Sequence, residues 1–203
     1  MTEAKKERSL VIVKPDGVQR SLIGEVIKRY EKVGLKLVGL KMIIPTEDMA
    51  YNHYYQVGGD AWIESVGEKA RASYEKKGLE SPYQTNKENG EAVLASLVKY
   101  LTSGPVVAMV WQGNQAVPLI RKIAGGTEPL TSDVGTIRGD YTLDTYSLAD
   151  TDKRAIRNII HASGTVEEAI KEINLWFKPE ELLNYRLIAE EILYDVNLDG
   201  IKE

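Results

Sequence analysis

The apolar residues of the chain follow two different periods, and these periods predict alternating strands and helices. Residues 10–14 (LVIVK) form a short β-branched run that a Pro-Asp-Gly turn ends, which is typical of a buried strand. Residues 22–30 place apolar side chains at helical spacing, so a helix is predicted from a cap at Ser21 to about Val33. The same criteria predict strands at residues 35–44 and 105–111 and just before His161, and helices at residues 48–57, 61–77, 91–101, 115–124, 165–173 and 179–194.

This order contains strand–helix–strand twice and predicts an α+β sandwich made of two split βαβ units. Such a sandwich has an antiparallel sheet with helices packed on one face. A doubly wound parallel fold is the alternative. It usually carries a glycine-rich signature after its first strand, and residues 14–17 (KPDG) match neither a P-loop nor a dinucleotide fingerprint.

Composition supports one compact domain and excludes several kinds of site. The chain has 203 residues, enough to bury a core without disulfides or structural metals. It contains no cysteine and two histidines, which excludes disulfide frameworks, cysteine nucleophiles, iron–sulfur clusters and three-histidine zinc sites. Its 26 Lys+Arg against 30 Asp+Glu leave a net charge of −4, so extensive binding to nucleic-acid phosphates is not expected.

No segment is predicted to enter a membrane or to direct secretion. The longest apolar runs, such as residues 105–111, are far too short to span a bilayer. Residues 1–9 are charged and lack the apolar stretch of a secretory signal. The predicted compartment is therefore the cytoplasm.

His161 is the first candidate for chemistry, because it follows an apolar run and precedes a predicted capped helix. A strand-end histidine is often satisfied by a backbone carbonyl, and that ordinary interpretation stays open. Asn158 lies three residues before His161, and Glu172 lies eleven residues after it. A carboxylate beside one ring nitrogen would hold the imidazole in one tautomer and leave the other nitrogen free to attack. His53, in contrast, is assigned to a helix without a role.

Cations cluster in and around a long glycine-rich segment, residues 125–140, which has little periodicity. Arg138 is flanked by glycines within this segment, and Arg121 lies on the preceding helix near Thr127. Lys14 ends the first predicted strand. Two guanidinium groups and an ammonium group could together clamp a phosphate chain, although each alone is as readily a solvated surface group.

Five segments together resemble the nucleoside diphosphate kinase family and occur in that family's order. They are residues 10–20 (LVIVKPDGVQR), 103–111 (SGPVVAMVW), 135–140 (GTIRGD), 158–163 (NIIHAS) and 175–182 (LWFKPEEL). The resemblance implies a ferredoxin-like βαββαβ fold and a single domain over residues 1–203, with surface insertions near residues 58–91 and 144–156. It also implies ping-pong transfer of a γ-phosphoryl group from a nucleoside triphosphate to a nucleoside diphosphate.

The resemblance further implies roles for individual residues. His161 would become phosphohistidine, Glu172 would hold its ring, and Ser163 would support that pair. The nucleotide would be bound by Lys14, which also counts as catalytic, and by Tyr54, Arg121, Thr127, Arg138 and Asn158. Mg²⁺ would bridge the phosphates. A homo-oligomer is expected, either a hexamer or a tetramer.

Three positions depart from the family's pattern. Val93 stands where the family usually has an aromatic residue that stacks on the base, so Trp62 and Tyr83 of the first insertion are candidates to replace it. Gln56 stands where the family often has an aspartate near the metal, and Gly164 replaces a common acidic residue.

Two other classes of function are open at this point. The chain could be a nucleotide-binding regulatory protein with little turnover, or a structural oligomer whose insertions bind partners. The joint presence of the nucleophile His161, its partner Glu172 and the cations Lys14, Arg121 and Arg138 favours the enzyme, since a regulator has no need of the nucleophile.

Overall fold

The computed structural model of the chain describes residues 6–76 and 78–194. Its strands are β1 (Glu7–Val13), β2 (Lys36–Ile43), β3 (Val106–Gly113) and β4 (Ile160–Ala162). Its helices are α1 (Pro15–Gln19), α2 (Ile23–Lys32), α3 (Glu47–Lys76), α4 (Asn86–Leu101), α5 (Ala116–Ala124), α6 (Ile137–Tyr141), α7 (Tyr146–Thr151), α8 (Val166–Trp176) and α9 (Ala189–Tyr194). Of these described helices, none is both long and apolar enough to cross a membrane. Residues 1–5, part of the segment without a predicted secretory signal, lie outside the described residues.

The strands form one antiparallel sheet in the order β2-β3-β1-β4. The most apolar strands, β1 and β3, take the two central positions, where both faces are covered. This confirms the predicted α+β class, the antiparallel sheet and the ferredoxin-like strand order. In the register of β1 with β4, Ile12 lies opposite His161, so the candidate nucleophile sits on an edge strand beside the centre of the sheet.

Helices cover both faces of this sheet, and the prediction of helices on one face only was wrong. Val11 and Val13 of β1 point to α2 and α5, the helices that connect the strands of the two βαβ units. Leu10 and Ile12 point the opposite way, into a second core with α3, α4 and α8. Because all four side chains are fully buried, the strand shows no polar alternation that would have marked one open face.

The first predicted insertion is a pair of closely packed helices. α3 extends through it with one break at Gly59, and α4 returns from a capping box formed by Thr85 and Glu88. A Cβ atom at Gly67 would lie 1.7 Å from a backbone oxygen of α4, and one at Gly90 would lie 2.1 Å from a backbone oxygen of α3. The two backbones therefore touch where only glycine fits.

Two local predictions were wrong: Ser21 belongs to the end of α1, where Leu22 N donates to Gly17 O and Ser21 N to Val18 O (both 3.0 Å), and a tertiary contact shortens the last helix. Ser21 adopts a positive φ of 58°, and α2 starts after Leu22 without a side-chain cap. The predicted helix over residues 179–194 is reduced to a 3₁₀ turn at Pro179–Glu181 and the short α9. Between them, Leu183 N donates to Val38 O (2.7 Å) at the irregular register of β2, so this segment follows the sheet edge instead of coiling.

Candidate active site

His161 follows a strained turn in the backbone. Ile159 has a φ of 56°, and Ile160 N donates to Asn158 O at 2.7 Å, which closes a three-residue γ-turn. A positive φ is unfavourable for a β-branched residue, so the surrounding structure must hold this turn in place. Ile159 O accepts from Lys14 N at 2.8 Å, which ties the turn to the end of β1.

The structure brings His161 and Glu172 together. His161 Nε2 lies 2.9 Å from Glu172 Oε1, a contact at ion-pair distance that is not aligned as a hydrogen bond. The other carboxylate oxygen, Oε2, accepts from Ser163 Oγ at 2.6 Å, and Ser163 Oγ accepts from Leu10 N at 3.0 Å. Glu172 and Ser163 are buried, whereas the His161 side chain is 19% exposed. The carboxylate is therefore fixed, and one edge of the imidazole reaches solvent.

His53 belongs to this group, although no role was predicted for it. Its ring centre lies 4.4 Å from that of His161, nearly perpendicular, and its Nδ1 accepts from Trp176 Nε1 at 3.2 Å. Burial, together with the charges of His161 and Lys14, holds the pKa of His53 well below its ordinary value. His53 is thus a neutral ring that packs against the candidate nucleophile. The only sequence signal for it was its place directly before Tyr54.

Lys14 is a buried cation connected to the sugar- and phosphate-binding candidates. Its Nζ donates to Asn158 Oδ1 at 2.8 Å, and Asn158 Nδ2 donates to Thr127 O at 2.9 Å. Burial lowers the pKa of Lys14 to about 7, with a further lowering by Arg138 and an opposing effect of Asp16. The ammonium group is therefore only partly charged near neutral pH, and a nearby anion would favour its charged form.

Arg138 is bonded to backbone carbonyls rather than held free for a ligand. Its Nε donates to Asn158 O (3.3 Å), its Nη1 to Gly125 O (2.9 Å) and Gly126 O (3.0 Å), and its Nη2 to Ile160 O (2.8 Å). These four hydrogen bonds use most of the donors of the guanidinium group. Arg138 thus joins the loop after α5 to the segment that carries His161, which the sequence interpretation as a phosphate clamp missed.

Among the predicted nucleotide-binding residues, Arg121 and Thr127 have exposed side chains. Within residues 6–76 and 78–194, the Arg121 guanidinium has no hydrogen-bond partner, and the Thr127 hydroxyl has none either. The charge of Arg121 reaches Arg138, whose pKa is lowered first by burial and then by this second cation. These two side chains are therefore available to a ligand, although the structure does not bring them into contact with His161.

Of the aromatic candidates of the first insertion, Trp62 does not form a free platform for a base. Trp62 stacks on Tyr54, with ring centres 6.4 Å apart and planes at 15°. The Tyr54 hydroxyl is buried without a hydrogen-bond partner, and its pKa is raised by burial and by Glu172. Tyr83 lies exposed in the loop before α4. Trp62 therefore supports Tyr54, which in turn lies beside the His53 ring.

The departures at Gly164 and Gln56 have local explanations. A Cβ atom at Gly164 would lie 2.2 Å from Glu168 Oε2, which accepts from Gly164 N at 2.9 Å. Glu168 thus occupies the space of a side chain at this position. Gln56 Nε2 is 3.5 Å from Lys171 O and so lies at the contact between α3 and α8.

Asp16 and Tyr100 are further residues near the site that the sequence did not single out as functional. Asp16 contributed only to the turn after the first predicted strand, and Tyr100 only to the predicted helix over residues 91–101. Tyr100 Oη donates to Asp16 Oδ1 at 2.6 Å, and the Lys14 ammonium lies 5.1 Å from the centre of the Tyr100 ring.

The fold and the site together define a class of protein. It has ferredoxin-like topology and a histidine on an edge strand, held by a buried carboxylate. Buried and exposed cations stand around the turn that precedes the histidine. This combination suits transfer of a phosphoryl group, in which positioned cations stabilise charge on the oxygens.

Comparison with known proteins identifies the family. A model of the nucleoside diphosphate kinase family matches residues 7–70 and 69–182. The nucleoside diphosphate kinase of Pyrobaculum aerophilum is 41% identical over 181 residues, which cover 87% of this chain and 98% of that protein. The crystal structure of an NDP kinase from the same organism matches with a TM-score of 0.85 at 40% identity, covering 88% of this chain and 100% of that chain. A Borrelia burgdorferi nucleoside-diphosphate kinase, solved as a transition state mimic with vanadate and ADP, is 36% identical with a TM-score of 0.74, covering 90% of this chain and 94% of that chain.

The chain belongs to the nucleoside diphosphate kinase family, which confirms the resemblance seen in the five sequence segments. It is accordingly a phosphotransferase, and the regulatory alternative is not favoured.

Proposed function

We propose that the chain transfers the γ-phosphoryl group of a nucleoside triphosphate to a nucleoside diphosphate through His161. The observation that carries this proposal is the orientation of the imidazole: Nε2 lies 2.9 Å from Oε1 of the buried Glu172 carboxylate, so Nδ1 is the ring nitrogen that is not turned toward it. With the proton held at Nε2, the Nδ1 lone pair is the nucleophile.

The reaction then has two equivalent halves. Nδ1 attacks the γ-phosphorus, a nitrogen–phosphorus bond forms, and the bond from that phosphorus to the β-phosphate oxygen breaks, so that the diphosphate leaves. A second diphosphate attacks the phosphohistidine by the reverse step and leaves as a triphosphate. Glu172 stabilises the positive charge that the ring carries while it is phosphorylated, and Ser163 fixes that carboxylate.

Cations around the turn would stabilise the charge of the transition state. Arg121 supplies a free guanidinium, and Lys14 supplies a buried ammonium beside Asn158, the residue proposed to bind the sugar. Thr127 and Tyr54 complete the proposed nucleotide contacts. Arg138 contributes mainly by holding the backbone around them, with a minority of its donors left for a phosphate. Such groups act most strongly when they are fixed before the reaction.

Mg²⁺ is the proposed metal, bound through the nucleotide. In the part of the chain that the structure describes, one group of side chains could hold a metal ion: His53, His161 and Glu172, with ligand atoms within 4.8 Å of one another. Mg²⁺ prefers several oxygen ligands, and Glu172 is the single carboxylate here. These residues do not suit Mg²⁺, so the phosphates would provide its ligands and would bring it to the site.

The insertions near residues 58–91 and 144–156 are proposed to be parts of the same single domain beside the base. Ser73 Oγ of the first lies 3.3 Å from Asp150 Oδ2 of the second, so the insertions touch each other. The second insertion is stabilised by Arg154, which donates to both carboxylate oxygens of the buried Asp144 at 2.7 and 2.9 Å. Both insertions are therefore ordered by specific contacts.

We also propose that the chain forms a homo-oligomer and is located in the cytoplasm. No specific nucleic acid is proposed as a partner. Leu40 and Met42 of β2, an edge strand of the sheet, and Ile44 directly after it expose large apolar side chains. Single apolar side chains are common on surfaces, but a row on an edge strand favours pairing with another copy. Fractionation of cells with an antibody against the chain tests the compartment.

The activity is tested by incubating the purified chain with γ-labelled ATP and then with a diphosphate acceptor. The wild type is expected to form a phosphoenzyme whose label is acid-labile, resides at Nδ1 of His161, and passes to the acceptor. His161→Ala is expected to form none. Normal phosphoenzyme formation by His161→Ala, or label at Nε2, would overturn the mechanism. A silent wild type would favour the regulatory alternative.

A further inference from the structure

Asp16 and Tyr100 form a pair that the mechanism above does not use. Asp16 lies in the first turn of α1 and Tyr100 near the end of α4. Tyr100 Oη donates to Asp16 Oδ1 at 2.6 Å, the short distance of a charge-assisted hydrogen bond. Burial and the Asp16 charge both raise the pKa of Tyr100, so its proton stays on the phenol. The phenol therefore fixes the orientation of the carboxylate.

The second oxygen of this carboxylate contacts the strained turn. Asp16 Oδ2 accepts from Ile159 N at 3.2 Å, and Ile159 is the central residue of the γ-turn with a φ of 56°. His161 follows two residues later, in register with Ile12. A β-branched residue does not adopt this conformation without external support, and the Asp16 carboxylate supplies it at the residue's own N–H.

The same pair also faces Lys14. Lys14 N donates to Ile159 O at 2.8 Å, and the Lys14 ammonium lies over the Tyr100 ring, 5.1 Å from its centre. The Asp16 carboxylate thus contacts the turn before the nucleophile, and the Tyr100 ring lies beside the buried Lys14 ammonium group.

We propose that Asp16, oriented by Tyr100, is a positioning residue that holds the Ile159 turn and thereby sets His161 and Lys14 in their places. This inference rests on the function proposed above. The carboxylate needs both of its oxygens for the role, because one accepts from the phenol and the other from the backbone. An amide offers one oxygen and one NH₂ group, so it can keep the backbone contact only if the bond to Tyr100 reverses and becomes a weaker, neutral hydrogen bond.

The first test is the rate of phosphoenzyme formation in a single turnover with γ-labelled ATP. Asp16→Asn is expected to slow this step about 10- to 100-fold, the order of loss that a small misplacement of reacting groups causes. Tyr100→Phe, which keeps the ring over Lys14, is expected to slow it less. Glu31→Gln, a loss of one exposed carboxylate at the end of α2, serves as the control and should match the wild type.

The second test asks whether Asp16 acts through Ile159. Glycine adopts a positive φ without strain, so Ile159→Gly removes the need for support at this residue. In an Ile159→Gly background, Asp16→Asn should therefore cause a clearly smaller fold-loss than in the wild type. An equal fold-loss in both backgrounds would overturn this route. Thermal unfolding of every variant separates a rate effect from loss of the fold, and Tyr100→Phe provides the test if Asp16→Asn does not fold.

The third test is the pH profile of the same step. Lys14 is faced by Asp16 of α1, Arg138 of α6, His53 of α3 and the Tyr100 ring of α4, and of the charged groups among these Asp16 alone favours the ammonium form. Asp16→Asn should therefore move the alkaline limb of the profile to lower pH, which a merely structural defect would not do.

An unchanged rate and an unchanged pH profile in Asp16→Asn and Tyr100→Phe would overturn the inference while leaving the proposed function intact. Failure of the wild type itself to form a phosphoenzyme would overturn the proposed function, and the positioning role with it.

Discussion

At the scale of single residues, the chemistry depends on which atoms are already bonded and which are free. Arg138 and Arg121 have the same side chain, and the sequence assigned both to the phosphates. In the structure Arg138 donates to four backbone carbonyls, whereas Arg121 is exposed. The two arginines should therefore respond differently to the same substitution.

Arg138→Ala is expected to reduce both stability and rate. Its loss leaves the carbonyls of Gly125 and Ile160 without this donor, whereas Gly126 O still accepts from Ser132 Oγ; a buried polar group left unpaired costs about 1–3 kcal/mol. Urea unfolding should show a lower free energy of unfolding, and steady-state assays a rate reduced by about 10²–10³. Arg121→Ala is the matched control, which should lower the rate while leaving the free energy of unfolding within about 0.5 kcal/mol. Equal stability losses in the two variants would contradict the distinction.

Lys14 gives a prediction about protons. Because burial lowers its pKa to about 7, Lys14 is largely neutral at pH 8 in the free protein. The bound phosphates favour the ammonium form, so nucleotide binding should take up a proton at pH 8 and less at pH 6, where Lys14 is already charged. The same lowered pKa means that the folded chain binds fewer protons than the unfolded chain between about pH 7 and 10, so the cost of burying Lys14 is greatest at low pH and fades as pH rises through that range.

The measurement is calorimetric titration with a nucleotide in two buffers of different ionisation enthalpy. Lys14→Arg is the control, because arginine stays charged at both pH values and should show no uptake from this site. The same proton uptake by the wild type and Lys14→Arg would contradict the assignment.

At the scale of elements, the α3–α4 helix pair reaches the site through aromatic packing. Trp62 stacks on Tyr54, and Tyr54 packs edge-on against His53. Trp62→Ala should therefore lower kcat/KM by a similar factor for purine and pyrimidine diphosphates, since the effect passes through Tyr54 and not through the base. Steady-state assays with ADP, GDP, CDP and UDP measure this, with Tyr83→Ala as the control that should leave all four unchanged. A loss confined to purines would instead indicate that Trp62 stacks on the base.

At the scale of the whole molecule, the exposed face of β2 gives a prediction about assembly. Met42 of β2 is 55% exposed and Ile44, directly after this edge strand, is 69% exposed. Met42→Lys combined with Ile44→Asp should lower the oligomer size measured by light scattering after gel filtration, because charges oppose burial against another copy. Leu79→Asp, at an exposed position between α3 and α4, should not change the size. An unchanged mass in the double variant would exclude β2 from the interface.

The sequence by itself predicted the strands and helices wherever the apolar residues follow a single period. The strand at residues 10–14, the helix faces of α2 and α8 and the capped start of α8 follow from spacing and capping residues alone. The ordered segments also determined the family, since the five matches occur in the family's order and are spread from residue 10 to residue 182. His161, Glu172 and Ser163 were grouped in advance because they are close along the chain.

Only the tertiary structure decided the contacts between distant segments. His53 and Trp176 are 123 residues apart in sequence, and Asp16 and Tyr100 are 84 apart, so no local pattern could join them. The second helical face of the sheet and the backbone bonds of Arg138 were fixed by packing and by the need to pair buried polar groups. Local periodicity reports on burial and spacing along one element, whereas the direction of a side chain into a site depends on the other elements that surround it.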